Sequence, residues 1–192
     1  APISKSTIYD PTNPFANRDP RLEVNVLHDG ETMYGKTLRT APLKSCHPTG
    51  IGTHGDATAT GYNQQKWLDP TIDPQTDGWH MDSDYKILRY AEVLLTYAEA
   101  ENEAFDDPAA RSSALVYLNR IRERAGVRQY TFDNVSLQDD KYIHIDNSQA
   151  ALRKVIRAER RVELCFEDNR WYDIRRWKDA ENLPEMIGDG YG

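Results

Sequence analysis

Two glutamates in the C-terminal half have the spacing at which acid–base catalysis or buried ion pairing becomes chemically feasible. Glu159 and Glu163 are four residues apart, and at ~100° per residue they lie on one face of a helix. That face also carries the apolar residues Leu152, Val155, Ile156, Val162 and Phe166. Carboxylates in the middle of an apolar face are costly to bury unless they are paired and hydrogen-bonded. We therefore expect this helix to meet specific cationic side chains.

A second predicted helix supplies a cation for these carboxylates. Residues 107–125 place Arg122 within an apolar face made of Ala114, Leu115, Leu118, Ile121 and Ala125. Arginine suits buried carboxylates, because its planar fork makes two parallel bonds and its charge is permanent. We therefore predict that Arg122 pairs with Glu159 or Glu163 across two packed helices. The alternative is that both glutamates lie at the rim of the interface and reach water.

Catalysis by the same two carboxylates is the third interpretation. Glycoside cleavage uses a pair of carboxylates as acid and base. A general acid needs a raised pKa, whereas the neighbouring Arg160 and Arg161, together with Arg122, would hold both glutamates ionised. The sequence also has no nucleophile elbow. We therefore predict that the chain is not an enzyme.

Motifs for metals and cofactors are weak. No pair of histidines has ligand spacing and no C-x-x-C occurs, so zinc is not expected; the histidines are His28, His47, His54, His80 and His144. Asp69, Asp73 and Asp77 recur every four residues and leave calcium open, although prolines interrupt them. Residues 50–55 fit G-x-G-x-x-G but lack the strand and helix that a dinucleotide site needs. We predict no metal site and no cofactor.

Aromatic residues in the N-terminal half could bind a sugar. Sugar recognition uses flat aromatic faces for stacking, with amides and carboxylates for the hydroxyl groups. The candidate ligand-binding residues are Tyr34, Tyr62, Trp67 and Trp79. The alternative is that Tyr62 and Trp67 cover the helices as part of the core. Trp171 and Trp177 have aliphatic helical neighbours and are expected in the core.

The chain divides into a loop-rich part and a helical part, which we expect to form one structural domain. Residues 1–82 hold eight of the ten prolines, and only short extended pieces are predicted, at 22–27 and 64–68. Residues 83–180 are predicted to be helical, and residues 181–192 read as a truncated tail. The expected helices cover about 84–105, 107–125 and 148–167, with a polar loop at 127–146 and a short helix after 168.

The predicted fold class is all-α, with a loop-rich layer and minor β structure. Asp107 and Pro108 are a good helix start, and Gly126 is a good helix end. The short link between the first two helices predicts an antiparallel hairpin. Small and large residues such as Ala98, Ala114 and Tyr97 suit the packing of a tetratricopeptide-like pair.

Composition narrows the range of partners. The net charge of −7 argues against nucleic acid and anionic membrane surfaces, but not against a neutral sugar. No run of ~18 apolar residues is present, so no transmembrane helix is predicted. Both ends read as cut, which suggests the C-terminal part of a larger protein.

Three segments carry a resemblance to a known family. Residues 87–100 read ILRYAEVLLTYAEA, residues 118–126 read LNRIRERAG, and residues 159–177 read ERRVELCFEDNRWYDIRRW. A weaker fourth segment, RDPRL, lies at residues 18–22. In order and spacing these segments resemble the SusD/RagB family, over about residues 17–180.

The resemblance implies a function that the residues alone do not establish. SusD/RagB proteins are helix-rich surface lipoproteins of Bacteroidetes that bind glycans or other nutrients, lie as a lid on a TonB-dependent outer-membrane transporter, and are not enzymes. By this resemblance the partners are a SusC-like transporter and an oligosaccharide or other nutrient, and the location is the outer membrane, with the lipid anchor outside this fragment. A different class is also open: a structural interaction module that contacts the transporter, with the ligand site in the remaining part of the parent protein.

Overall fold

A computed structural model of the chain describes residues 9–38, 61–73, 76, 84–132 and 141–182. Its main helices are α2, α3 and α4, which cover Tyr90–Ala104, Pro108–Arg124 and Gln149–Glu163. Shorter helices are α1 at Arg21–Asn25 and α5 at Asn169–Arg176, with a 3₁₀ turn at Ala180–Asn182. The predicted helical class with minor β structure is confirmed. None of the described helices is long and apolar enough to cross a bilayer.

The core lies where the three long helices meet. α2 packs against both α3 and α4, and α3 also contacts α4. The buried apolar residues at this junction are Ala91, Leu94, Leu95, Ala98, Ala114, Leu115, Leu118, Ile121, Leu152, Ile156 and Leu164. Their helical spacing explains the packing, since residues three and four apart share one face. The carboxylates at the end of α4 therefore lie beside a buried apolar interface.

Specific caps set the limits of α3 and α4. The Asp107 side chain accepts hydrogen bonds from the backbone N–H groups of Ala109 and Ala110, at 2.8 and 3.1 Å. The Ser148 hydroxyl accepts one from Ala151 at 3.3 Å. Gly126 has φ +68°, and Val127 N–H closes the end of α3 onto the Arg122 carbonyl at 3.0 Å. These caps occur where the sequence predicted them for α3.

The start of α2 and the end of α4 differ from the prediction. α2 begins at Tyr90 rather than near residue 84, and Ile87 is 88% exposed. α4 ends at Glu163, because Phe166 and Asp168 adopt left-handed φ angles of 60° and 61° that cannot continue a right-handed helix. The chain turns there into α5, and Val162 and Phe166 are partly exposed rather than buried.

The predicted polar loop at 127–146 contains two strands instead. β5 at Gln129–Phe132 pairs in parallel with β6 at Tyr142–Ile145. Tyr130, Phe132 and Ile145 pack against the helical core, which explains why this polar stretch is ordered as strands. Asn119 on α3 fastens β5, since its side chain donates to the Tyr130 carbonyl and accepts from the Tyr130 N–H, both at 2.8 Å.

The described N-terminal residues form a second, smaller layer. Of the piece predicted as extended at residues 22–27, residues 22–25 lie in α1 instead, where the Asp19 carboxylate accepts the Arg21 N–H at 3.0 Å and supports the first turn. Two antiparallel pairs follow: β1 at Val26–Leu27 with β4 at Asn63–Gln64, and β2 at Thr32–Met33 with β3 at Lys36–Thr37. The buried apolar residues of this layer are Leu27, Met33 and Leu38.

Candidate ligand-binding surface

Glu159 is held by two arginines in a buried network. Only 3% of the residue is exposed. Arg122 Nη1 donates to Glu159 Oε2 at 2.5 Å, which is the α3–α4 pairing that the sequence predicts. Arg21 Nη1 from α1 donates to the other oxygen at 2.6 Å. Arg122 also donates to the Arg128 carbonyl at 2.6 Å, so its planar group joins three elements.

Glu163, also 3% exposed, belongs to the same network. It accepts hydrogen bonds from Arg21 at 2.9 Å, Arg89 at 2.7 Å and Arg124 at 2.5 Å. Arg89 further donates to Glu167 at 2.7 Å. The end of α4 is therefore tied to α1, to the residue before α2 and to the end of α3.

Arg21, Arg89 and Arg124 are members of the network that the sequence did not predict. Arg21 and Glu159 are 138 residues apart, and Arg89 and Glu163 are 74 apart, so no local period relates them. The available signal was that Arg21, Arg89 and Arg124 all lie within the segments that resemble the family, at 18–22, 87–100 and 118–126.

The electrostatics of this network oppose acid catalysis by Glu163. Burial acts to raise the pKa of Glu163, but hydrogen bonds from Arg89, Arg124 and Arg21 outweigh it and hold the pKa below its ordinary value. The carboxylate is thus ionised and saturated with donors. A general acid for glycoside cleavage needs the opposite shift.

A second ionic cluster lies on the other side of α4. Arg160 donates to both oxygens of Asp173 on α5, at 3.1 and 3.2 Å. Arg176 forms a bidentate pair with Glu99 on α2, both bonds being 2.6 Å. Trp177 Nε1 donates to the same Glu99 at 2.6 Å. This cluster locks α5 against α2 and α4.

The loop that carries Trp67 is docked on the end of α4. Lys66 Nζ donates to the carbonyls of Glu163 and Cys165, both at 3.1 Å, and forms an ion pair with Glu167. Trp67 Nε1 donates to the Phe166 carbonyl at 3.0 Å. The buried network that fixes Glu163 and Glu167 therefore also fixes the position of Trp67.

Trp67, Tyr85 and Asp168 form a half-open aromatic surface, called here the Trp67 surface. The ring centroids of Trp67 and Tyr85 are 5.8 Å apart, and the ring planes are inclined at 43°. Tyr85 is 57% exposed. The Tyr85 hydroxyl donates to Asp168 Oδ2 at 2.8 Å, and this bond raises the pKa of Tyr85. Two aromatic faces beside a carboxylate are the groups that sugar recognition uses. Tyr85 was not among the predicted ligand-binding residues.

The other predicted ligand-binding residues have different surroundings. Tyr62 is half-exposed and its ring meets Phe15 edge-on at 6.2 Å. Tyr34 packs against the small N-terminal core. Trp79 lies outside the described residues. The structure therefore places Trp67, Tyr62 and Tyr34 in separate local environments.

The two tryptophans expected in the core differ from each other. Trp177 is half-buried between Arg157 and Arg176, each 4.7 Å from its ring centroid. Trp171 is 63% exposed, so its placement in the core is wrong. The α5 helix is short and buries Asp173 rather than an apolar residue, which leaves Trp171 on its outer side.

The described part of the aspartate run is engaged within the protein. Asp69 accepts two hydrogen bonds from Thr71, at 2.8 and 2.6 Å. Asp73 forms an ion pair with Lys36 at 3.1 Å. Asp77 lies outside the described residues. The two described carboxylates thus have roles in a turn and an ion pair.

A groove of about 560 Å³ offers another concave surface. It runs between the segment before α1 and the end of α4, where Arg18, Leu22, Arg161 and Val162 form part of its walls. Tyr9 is the one aromatic residue in its described lining, and Arg18 lies over that ring at 6.0 Å. The groove is therefore less suited to stacking a sugar ring than the Trp67 surface.

Comparison with known proteins identifies related sequences. SusD-like protein P2 of Formosa agariphila is 40% identical over 102 residues, which are 53% of this chain and 18% of that protein. A SusD-like protein of Bacteroides ovatus is 36% identical over 104 residues, 53% of this chain and 15% of that protein. The matched part of the chain thus spans less than a fifth of the length of these curated relatives.

A solved structure and a family model extend the similarity to most of the chain. The crystal structure of a SusD-like carbohydrate-binding protein from Bacteroides fragilis matches with a TM-score of 0.68 and 28% identity, covering 93% of this chain and 32% of that one. The model of the SusD family matches residues 3–186. Because this match covers nearly the whole sequence, the chain belongs to the SusD/RagB family.

Proposed function

We propose that this chain is part of a cell-surface protein that binds a glycan and delivers it to a TonB-dependent outer-membrane transporter. Membership of the SusD/RagB family supports binding rather than catalysis. The similar structure from Bacteroides fragilis is of a SusD-like carbohydrate-binding protein, and its fold is shared over 93% of this chain. The location proposed is the outer membrane, as a surface lipoprotein, and the partner proposed is a SusC-like transporter.

The observation that carries the proposed glycan contact is the rigid placement of Trp67. A stacking platform binds well only when its side chain is held before the ligand arrives, because ordering it on binding costs free energy. Lys66 and Trp67 together make three hydrogen bonds to carbonyls of residues 163–166, and that segment is fixed by the arginine network. Trp67 is thus ordered while its neighbour Tyr85 stays exposed.

The remaining candidates would extend this contact. Tyr62 exposes about half of its surface, and Asn63 and Gln64 follow it in β4. Trp79 and Tyr34 stay in the proposal as further stacking residues from the loop-rich part. One or two platforms correspond to a dissociation constant of roughly millimolar to micromolar.

Binding is proposed without cleavage. Glu159 and Glu163 are buried under arginines, and the lowered pKa of Glu163 suits a structural carboxylate. We expect no release of reducing sugar from any polysaccharide that the chain binds. Turnover that disappears in a folded Glu159→Gln variant would contradict this proposal.

A second candidate function is contact with the transporter through the helical hairpin. The exposed apolar residues of α2 and α3 favour it, namely Tyr90, Val93, Tyr97 and Val116. A row of this kind on a hairpin suits protein packing more than sugar stacking. In this case the ligand site would lie elsewhere in the parent protein.

The two functions are separated by titrating glycans against the chain and its variants. A glycan array identifies a ligand, and calorimetry then compares the parent with Trp67→Ala, Tyr85→Ala and Trp79→Ala. Phe105→Ala is the matched control, since Phe105 is an exposed aromatic residue at the opposite end of α2 from Arg89. Loss of binding in the first two variants alone supports the Trp67 surface. Equal binding by all folded variants favours the interaction module.

A further inference from the structure

Three potential metal ligands converge at the start of the small N-terminal layer. Glu23 lies in α1, His28 directly follows β1, and Glu31 directly precedes β2. Their ligand atoms all lie within 4.8 Å of one another. His28 is 6% exposed, Glu31 is mostly buried and Glu23 is open to solvent. The cluster is thus built around a buried imidazole with one open side.

The distances in this cluster fit the ligand shell of a small cation. His28 Nε2 lies 3.3 Å from Glu31 Oε1 and 3.7 Å from Glu23 Oε1. Ligands bonded at about 2.1 Å in a tetrahedral shell lie roughly 3.4 Å from each other. One ion could therefore contact all three side chains with little movement.

The histidine is oriented as a ligand. Its Nδ1 lies 3.2 Å from the Asp29 carbonyl, which can only accept, so Nδ1 carries the hydrogen. Its Nε2 is buried and makes no hydrogen bond within the described part of the chain. Metal-bound histidines commonly donate the other ring N–H to a carbonyl in this way. The Phe15 ring stacks on the His28 ring, with the ring centroids 3.5 Å apart and an angle of 6° between the planes. This contact fixes the plane of the imidazole.

Glu23 and Glu31 have few basic neighbours in the part of the chain that the structure describes. Among the residues that the structure describes, His28 is the only basic side chain that pairs with Glu23 or Glu31. The two carboxylates lie within 4.8 Å of each other, so their like charges repel, and Glu31 Oε2 accepts the His28 backbone N–H at 2.8 Å. A bound cation would relieve this repulsion and satisfy the unpartnered Nε2 together.

We propose that Glu23, His28 and Glu31 bind a divalent transition-metal ion such as Zn²⁺. One imidazole with two carboxylates favours a transition metal over Ca²⁺ or Mg²⁺, which take oxygen ligands. The ion would tie α1 to the turn between β1 and β2, beside the Phe15–Tyr62 contact. The spacing of histidines and cysteines in the sequence does not reveal this cluster, because it contains a single histidine and no cysteine.

The proposal is tested by calorimetric titration of the chelator-treated chain with ZnCl₂, and in parallel with CaCl₂. We expect Zn²⁺ binding at one site and a higher melting temperature in its presence. Glu23→Gln should weaken Zn²⁺ binding by roughly tenfold or more. This variant changes an exposed side chain, so its fold is preserved. His28→Asn should abolish the site, and His144→Asn, which changes an exposed histidine, is the matched control.

Three results would overturn the proposal. The first is no Zn²⁺ binding, which would make the cluster an ion pair of protonated His28 with two glutamates. The second is Zn²⁺ binding that persists unchanged in Glu23→Gln and His28→Asn. The third is Ca²⁺ binding as tight as Zn²⁺ binding. Co²⁺ absorption provides a readout independent of heat, since tetrahedral coordination by His28 gives visible bands that His28→Asn should remove.

Discussion

Two pairs of glutamates in this molecule have opposite electrostatic surroundings. Glu159 and Glu163 at the end of α4 are almost fully buried. They accept hydrogen bonds from four arginines, namely Arg21, Arg89, Arg122 and Arg124. Glu23 and Glu31 have His28 as their one basic neighbour among the described residues. Hydrogen bonds from the arginines outweigh burial and lower the pKa of Glu163, whereas burial raises the pKa of Glu31.

The difference shows how the same side chain supports two kinds of role. A carboxylate whose oxygens already accept hydrogen bonds from several fixed arginines has no remaining capacity to bind a ligand. Its ion pairs instead connect structural elements. A carboxylate pair with too little positive charge is poised to accept a cation. In this chain the saturated pair joins α1, α3 and α4, and through Lys66 it orders the Trp67 loop.

The largest expected effect is on stability at the saturated pair. Arg122→Ala should lower the free energy of unfolding by about 3–5 kcal/mol, because Glu159 stays buried with one arginine fewer. Urea unfolding followed by circular dichroism measures this. The matched control is Arg153→Ala, which breaks the more exposed pair with Glu103 and should cost about 0–1 kcal/mol. Equal effects for the two variants would remove the distinction between buried and surface pairs.

A smaller effect is expected on the pH dependence of stability, with opposite signs for the two pairs. The pKa of Glu163 is lower in the folded than in the unfolded protein. Glu163 therefore contributes fully to the free energy of unfolding at a pH above its ordinary pKa of 4.5, and this contribution is lost as the pH falls through the folded pKa. The pKa of Glu31 is higher in the folded than in the unfolded protein. Glu31 therefore contributes fully to the free energy of unfolding at a pH below its ordinary pKa of 4.5, and this contribution is lost as the pH rises through the folded pKa.

Urea unfolding from about pH 7 to about pH 3 tests these signs. Glu163→Gln should reduce the loss of stability at acid pH relative to the parent. Glu31→Gln should instead reduce the loss that occurs when the pH rises above 4.5. Parallel pH profiles for the two variants would contradict the proposed contrast.

The smallest expected effect is that of Glu23→Gln in the metal-free chain. Removing one of two neighbouring carboxylates that have little compensating positive charge should change the free energy of unfolding by less than about 0.5 kcal/mol, as a small gain. Thermal unfolding in the presence of a chelator measures this. The corresponding change at the saturated pair, Glu159→Gln, should destabilise clearly, and a comparable loss in Glu23→Gln would contradict the contrast.

Local sequence patterns predicted the features that depend on local periodicity. The apolar residues of α2, α3 and α4 recur at helical spacing. Asp107 and Gly126 lie at the two ends of α3, so the hairpin of α2 and α3 could be predicted. The pairing of Arg122 on α3 with Glu159 on α4 could be predicted, because each of the two residues lies within the apolar face of its own helix. The start of α2 was misplaced, because the apolar residues Ile87 and Leu88 that suggested an earlier start are 88% and 66% exposed.

Features that depend on distant segments could not be predicted. The pairing of β5 with β6 rests on packing of Tyr130 and Ile145 against helices whose position the local sequence does not encode. Tyr85 meets Trp67 only because residues 61–68 dock on the end of α4. Similarly, His28 acquires Glu31 as a neighbour through the turn between β1 and β2, and Glu23 through α1, where residues 22–25 were predicted to be extended.

The most direct test of the glycan-binding proposal is an NMR titration of the indole N–H groups. The chain has four tryptophans, and each single Trp→Phe variant assigns one indole signal. With the best glycan from the array, the Trp67 signal should shift in a saturable way, while that of Trp177, bonded to Glu99, should stay in place. Saturable glycan binding by calorimetry with an unmoved Trp67 signal would contradict the proposal that Trp67 forms the site.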